Sequence, residues 1–377
     1  MNEKEANNKI VGKLDFHEKR FDDGTLCKLE MYRKYLRTWL PTFLNNQHVD
    51  IIQIFDFFAG PGYDSEDNPG SPIIASEEIR AALDYNKLRR SVEIKLFLNE
   101  LDIDKYNLLR DNAKIIRETN PEITVITENK KFIDIFEQAF PLMEQPRIAN
   151  FLFLDQFGIS EIKKDIFTRI INLNRTDFIF FVSASIINRV KGHPDIIKHI
   201  PLISEDNWRR MTGNNVNRIL SDAYQQWIPA ERKYFLGNFA IKKGANVYGL
   251  IFGSGHPLGI DKFLQVAWEM GGDANFDIDG DNIDENQLYF PALSITPKKI
   301  TEFEQDLTSE IMGKLLLTNK DIYFFTLKRG MLPKHSRDLL TSLKKTGKLP
   351  KQKLNISYDA WKKPEIQQII YNKEDNL

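Results

Sequence analysis

The chain has 377 residues, 42% hydrophobic and including 26 Phe, enough for a core domain of roughly 250 residues with an appendage. Lys and Arg total 52 against 53 Asp and Glu, a net charge of −1 that singles out no class of partner. One cysteine, Cys27, excludes an intramolecular disulfide or a thiolate metal cluster, and the six histidines stand at no metal-ligand spacing, so no metal is expected. The charged start has no apolar core and no run is long enough to span a bilayer, which predicts a cytoplasmic protein that touches no membrane.

Residues 1–24 are polar. Leu26, Leu29, Met31, Tyr32, Tyr35, Leu36 and Leu40 then recur at helical spacing, which predicts an amphipathic helix docking on the core, with Pro41 kinking or ending it. Its basic residues, Lys28, Arg33, Lys34 and Arg37, read as a solvated face, with Lys28 retained as a site candidate. Residues 51–58 form a buried strand that runs into Asp56-Phe57-Phe58-Ala59-Gly60-Pro61-Gly62. Gly60 and Gly62 permit positive φ and close backbone approach, so the N–H groups of this turn can face a ligand. An acid just ahead of such a turn, here Asp56, can hold hydroxyls or an ammonium. After a polar loop at 64–69, Gly70-Ser71-Pro72 predicts a helix entrance with Ser71 as the cap and a helix over 73–83. A strand at 92–98 ends in Asn99-Glu100-Leu101-Asp102, which places carboxylates at the carboxyl end of a buried strand, where a ligand calls for them.

A helix (104–119), a strand (122–127) and a helix (132–140) follow. The apolar strand at 148–154 stops at Asp155 and a turn containing Gly158. A helix at 165–172 and a strand at 177–182 complete a strand–helix alternation that predicts an α/β, doubly wound, mainly parallel sheet. The alternation breaks at Ser183, and residues 185–231 read as a helical insertion. Strands at 235–241 and 246–252 flank Lys242-Lys243-Gly244-Ala245 as a terminal antiparallel hairpin. Parallel strands finished by an antiparallel pair separate the class I methyltransferase sheet from the dinucleotide dehydrogenase sheet.

His256-Pro257-Leu258-Gly259 leads into a helix over 260–270. The acidic loop at 275–286 has partial EF-hand register, but Asn282 and Asn286 stand at its eighth and twelfth positions, so it reads as a solvated loop. Helices at 300–317, 319–327 and 333–346, followed by a basic hairpin-like segment, predict a winged-helix-like appendage. Residues 328–353 carry nine Lys or Arg and one acid, a local charge of +8 that leaves −9 for the remainder. Lys334, Arg337, Lys344, Lys345 and Lys348 are the candidate phosphate contacts; contact with a protein partner is the alternative reading of the same charge. The expected domains are a tail and helix at 1–50, a core at 51–270, an acidic linker at 271–298 and the basic domain at 299–377.

The string DFFAGPG, residues 56–62, resembles motif I of S-adenosylmethionine-dependent methyltransferases, and Glu100 falls where those enzymes hold the cofactor ribose. Asp155-Gln156-Phe157-Gly158 resembles the fourth motif of exocyclic-amine methyltransferases, more closely the DPFG of tRNA guanine-N2 dimethyltransferases, with Gln156 departing from the proline. Along most of its length the chain resembles the three-Cys-motif partner protein family, TcmP, through KLEMYRKYLRTWL, FDFFAGPG, GSPIIA, FLFLDQFG, HPLG and RDLLTSLKKTGKL. The resemblance implies S-adenosylmethionine held by Asp56, Phe58, Ala59, Gly60, Pro61, Gly62 and Glu100, with Asp155 hydrogen-bonding an exocyclic N–H while Phe157 stacks on a base. It also implies a three-Cys-motif protein as partner. Two functions follow: a methyltransferase acting on a nucleic acid or a nucleic-acid-associated substrate, or a non-catalytic methyltransferase-fold module that binds the partner.

Overall fold

Stretches rich in apolar and β-branched residues become strands, and amphipathic stretches cover them. The computed structural model describes residues 20–85, 92–155, 161–183, 203–210, 216–243, 246–270, 276–277 and 298–372. It comprises two units, Met1–Asp155 and Gln156–Leu377.

The first unit opens with α1 (Asp23–Leu44), whose cap residue Asp22 accepts from Thr25 N at 2.7 Å. Pro41 does not end it: a proline this near the last turn forfeits one backbone donor, and the helix runs on to Leu44. Three further helices, α2 (Ser71–Tyr85), α3 (Ile103–Thr119) and α4 (Phe132–Met143), alternate with four strands, β1 (Ile51–Asp56), β2 (Glu93–Asn99), β3 (Ile123–Glu128) and β4 (Ile148–Leu154). The strand order is β3-β2-β1-β4, and all three pairings are parallel, as expected. Asp56 lies opposite Leu98 and Phe153, so β1, β2 and β4 end at one level. The chain winds outward from β1 to β3 and then returns to the far side of β1. That reversal makes the carboxyl ends of β1 and β4 the switch point at which open α/β sheets bind ligands.

Aromatic packing fixes α1 on β4. The Tyr32 ring lies 4.2 Å from that of Phe153, and Tyr35 and Trp39 lie 5.6 and 5.4 Å from Phe151. Arg37 is exposed and Arg33 half-buried, yet both are anchored. Arg37 grips Glu78 of α2 with two bonds of 2.9 and 3.0 Å and Arg33 adds a third at 3.1 Å. Glu78 is 3% exposed, and a carboxylate that deep is held by charged donors.

In the second unit α5 (Lys164–Asn172) precedes β5 (Thr176–Ser183). Two helices of the expected insertion are described, α6 (Glu205–Arg210) and α7 (Val216–Gln225). The latter is core: Leu220, Ala223 and Tyr224 are buried, and the Tyr224 hydroxyl donates to Ile162 O at 2.8 Å. The hairpin is present as β6 (Phe235–Lys243) and β7 (Asn246–Ser254), antiparallel from Phe235↔Ser254 to Lys243↔Asn246. The order in this unit is β5-β7-β6-β8, with β5 and β7 antiparallel. Gly253 is required on β7, because a Cβ there would stand 2.3 Å from the Phe178 ring. The short β8 (Phe276–Asp277) pairs with Ala240 and Ile241, where the sequence predicts a solvated loop; the rest of that loop lies outside the described residues.

The unit continues with α8 (Pro257–Met270), α9 (Lys298–Met312), α10 (Asn319–Lys328), α11 (Pro333–Lys345) and α12 (Tyr358–Lys362). α10 begins at a capping box formed by Thr318 and Asp321. It is fastened to α8 by the Tyr323 hydroxyl on Asp261 Oδ2 at 2.7 Å, and Trp268 Nε1 donates to Gly330 O at 3.0 Å. Three helices stand where expected, but residues 346–357 carry no strand, so the wing is not a β-hairpin. Instead this segment buries Leu349, Leu354 and Ile356 along its length, and the chain end returns to bridge Gln368 to Thr318.

Candidate cofactor and acceptor site

The site grows from the end of β1. Gly60 and Gly62 adopt φ of 64° and 107°, the region glycine was expected to supply. A Cβ at Gly62 would also displace the Asn112 amide, which it would meet at 2.9 Å. That same amide donates to Pro61 O at 2.7 Å, and Gly70 N donates to Gly62 O at 2.7 Å, so α3 and the entrance of α2 brace the turn from two sides. The polar loop after it is organised by Asp64. Burial raises the Asp64 carboxyl, but the donors of Phe21, Asn68 and Glu66 outweigh this and bring it down to about 2.

Glu100 reaches back from the end of β2. Its Oε2 accepts from Gly60 N at 2.9 Å and its Oε1 from Asp102 N at 2.8 Å. Each carboxylate oxygen can accept a second bond, and the residue is half-exposed, so capacity for a ligand hydroxyl remains. Ala59 is fixed by its N–H on Asn99 O at 2.9 Å. The half-exposed Phe58 ring stacks on Phe132 of α4 at 5.4 Å, which packs the turn against that helix.

Asp56 is 1% exposed. Burial drives its carboxyl up to about 7, against the pull of the Ser71 hydroxyl and the Phe58 N–H, and the charges of Asp155 and Glu100 add to the rise. Its Oδ2 makes no hydrogen bond among the described residues. Ser71 is the first residue of α2 rather than the residue before it, and its hydroxyl is near enough to Asp56 to favour the charged carboxylate. Tyr32 has a fully buried hydroxyl that also lacks a partner among the described residues. Burial first, and the nearby Asp56 charge second, raise its proton affinity.

Asp155, at the end of β4, pairs with Lys28 of α1 through Oδ2 and Nζ. The side chains are 29% and 16% exposed respectively, so the pair stands at the edge of the buried carboxylates. The next described helix, which starts at Lys164, has Lys163 at its cap position. Glu100 thus holds Gly60 directly, and the charges of Glu100 and Asp155 are both felt at Asp56. Phe157 and Gln156 lie outside the described residues. Tyr32 is hidden in the sequence because it sits in an apolar stripe; the signal available was its i, i+4 spacing from Lys28 on the face turned to β4.

Cys27 offers no nucleophile, because burial and the charge of Glu30 push its thiol up to about 12. Among the described residues no three His, Cys, Asp or Glu side chains gather as a metal site, and no helix is long and apolar enough to cross a membrane. Of the basic candidates in the second unit, Lys334, Lys345 and Lys348 are exposed and Lys344 is half-buried. Arg337 is exposed too, and its Nη1 donates to Ile356 O at 2.8 Å, which holds the segment after α11.

No protein-family model matches the chain, and no curated protein does. Among solved structures it is similar to Trm1 from Pyrococcus horikoshii in complex with S-adenosyl-L-methionine, at 14% identity and a TM-score of 0.36, covering 67% of this chain and 61% of that one. A SAM-dependent methyltransferase from Agrobacterium tumefaciens is similar at 8% identity and a TM-score of 0.33, covering 60% and 61%. TYW2 from M. jannaschii in complex with AdoMet is similar at 11% identity and a TM-score of 0.28, covering 64% and 78%. The chain spans about three fifths of the length of the first two. The class I methyltransferase-like character of the core rests on strand order, β3-β2-β1-β4 in one unit and β5-β7-β6 with β7 antiparallel in the other.

Proposed function

We propose that the first unit binds S-adenosylmethionine at the carboxyl ends of β1, β2 and β4 and that the protein transfers its methyl group to an acceptor held at Asp155. The observation that carries this reading is Asp56: a buried carboxylate with an unpartnered oxygen, set beside two further carboxylates and a glycine turn. Leaving such an oxygen desolvated costs about 1 to 3 kcal/mol, a cost that a cationic ligand would offset. The residues fit the group. Asp56 complements its positive charge, Glu100 has acceptor capacity left for its hydroxyls, and the Gly60–Gly62 turn admits it to the backbone.

Once bound, that group supplies a methyl carbon already activated by a sulfonium. The chain's own residues then have to align the acceptor and manage its proton. Asp155 can accept a hydrogen bond from an acceptor N–H or O–H and take its proton, while Lys28 holds the Asp155 carboxylate in place. A nucleic-acid acceptor, or one associated with nucleic acid, is supported by the DQFG resemblance and by the +8 segment at 328–353. Calorimetry with S-adenosylmethionine tests the binding half. Asp155→Ala tests the other half, with cofactor affinity expected to persist and methyl transfer to be lost; full biological activity in that variant would contradict the assignment.

A second reading has an observation of its own. Lys28 occupies Asp155, and Gln156 replaces the proline of the amine-methyltransferase motif. On that reading the chain is a TcmP-like, non-catalytic module that works with a three-Cys-motif protein. Absence of methyl transfer from a chain that still binds cofactor would favour it.

A further inference from the structure

α12 is short, capped by the Ser357 hydroxyl accepting from Ala360 N at 3.2 Å, and it presents two large aromatics. Tyr358 and Trp361 stack with ring centroids 5.8 Å apart and planes 26° apart. His256, from the HPLG turn ahead of α8, sets its ring edge-on to both, at 5.9 and 5.5 Å. Phe324 of α10 meets Trp361 edge-on at 5.9 Å and lies flat on the buried Phe235 of β6 at 5.7 Å. Three segments distant in sequence therefore build one aromatic surface on a buried floor. His256 is exposed, and Phe324, Tyr358 and Trp361 are half-buried.

Lysines rim these rings. Lys233 places Nζ over the Phe324 ring at 5.8 Å, and the Lys320 amine donates to Lys363 O. Lys362 and Lys363 are exposed at the end of α12. Asp359 and Glu365 are the neighbouring acids in sequence, yet none of the four lysines forms an ion pair among the described residues. Ammonium groups beside half-buried aromatic rings suit a ligand that is itself alternately anionic and flat.

We propose that His256, Phe324, Tyr358 and Trp361, with Lys233, Lys320, Lys362 and Lys363, form a binding surface for single-stranded nucleic acid. Bases stack on the aromatic faces and lysines meet the phosphates. A duplex keeps its bases stacked on each other and cannot offer them to Trp361, so the single strand is the ligand. Lysine, a point charge without the bidentate fork of arginine, predicts binding that ignores base sequence. The proposal rests on the nucleic-acid reading of the acceptor and adds a surface separate from the lysines of 328–353.

Fluorescence anisotropy with a labelled single-stranded oligo(U), and with a duplex of equal length, tests it on the full chain. Trp361→Ala should bind oligo(U) roughly five-fold to a hundred-fold more weakly, and Trp361→Phe should recover most of the loss. Because Trp361 also packs on Phe324, the exposed pair Lys362→Glu with Lys363→Glu is the second variant; it should flatten the log-log salt slope by about 0.7 for each phosphate no longer neutralised. Wild-type affinity in both variants would overturn the surface while leaving the nucleic-acid reading intact, with Lys344 and Lys345 as its carriers. A wild-type chain that binds neither oligo(U) nor duplex at low salt would overturn both.

Discussion

Two buried aspartates, one in each unit, have opposite surroundings. Asp261 on α8 is 4% exposed and satisfied on both oxygens, by Gln265 Nε2 at 3.0 Å and the Tyr323 hydroxyl at 2.7 Å. Asp56 is buried as deeply and keeps one oxygen without a partner among the described residues. Burial of a carboxylate alone does not mark a site, since a fully bonded one is a fastening between helices. The unsatisfied one, at a glycine turn and beside Glu100 and Asp155, is a group in want of a cation.

The largest expected effect that tests this contrast is on Asp56. Its folded-state carboxyl titrates at about 7, against about 3.9 in the unfolded chain. Between those values the folded chain keeps a proton that the unfolded chain gives up, so stability falls as pH rises through the window, by on the order of 4 kcal/mol. Asp56→Asn should abolish that fall in urea titrations from pH 4 to 7 and leave the ligand-free protein more stable at neutrality. An unchanged pH profile would show that Asp56 does not carry the shift. Asp261→Ala should act in the opposite direction, losing about 3 kcal/mol in the same titrations, because it strips two hydrogen bonds and orphans the Tyr323 hydroxyl. A stabilised Asp261→Ala would erase the distinction between the two residues.

Smaller effects sharpen the site. Glu100→Ala should weaken S-adenosylmethionine binding ten-fold to a hundred-fold in calorimetry, corresponding to about 1.5 to 3 kcal/mol of charge-assisted hydrogen bonding. Unaltered affinity would reduce Glu100 to a brace for Gly60 N and Asp102 N. In the second unit, Lys344→Glu with Lys345→Glu should weaken nucleic acids of all sequences alike, as phosphate contacts position without specifying. A loss confined to one sequence would contradict that.

The strands were legible where apolar and β-branched residues run or alternate for six or more positions, most plainly in β4 and β5. Residues 148–154 are buried throughout β4, and the glycine turn announced itself by composition alone. What stayed hidden depends on partners far away in sequence. Lys28 meets Asp155 across 127 positions, and Arg33 and Arg37 meet Glu78 across 45 and 41. On a helical wheel such residues are indistinguishable from a solvated face. β8 reads as loop because two residues carry no periodicity, and its pairing with Ala240 and Ile241 is a tertiary event. The wing failed for a related reason: a basic, proline-containing segment can serve a hairpin or an extended strap, and the buried Leu349, Leu354 and Ile356 chose the strap.

The most direct test of the account is a titration of S-adenosylmethionine into the wild-type chain near pH 6, repeated in two buffers of different ionisation enthalpy. A cation seated at Asp56 must draw that carboxyl back toward its ordinary range, so binding should release up to about one proton, and Asp56→Asn should release none. No binding at millimolar cofactor, or proton release unchanged in Asp56→Asn, would contradict it.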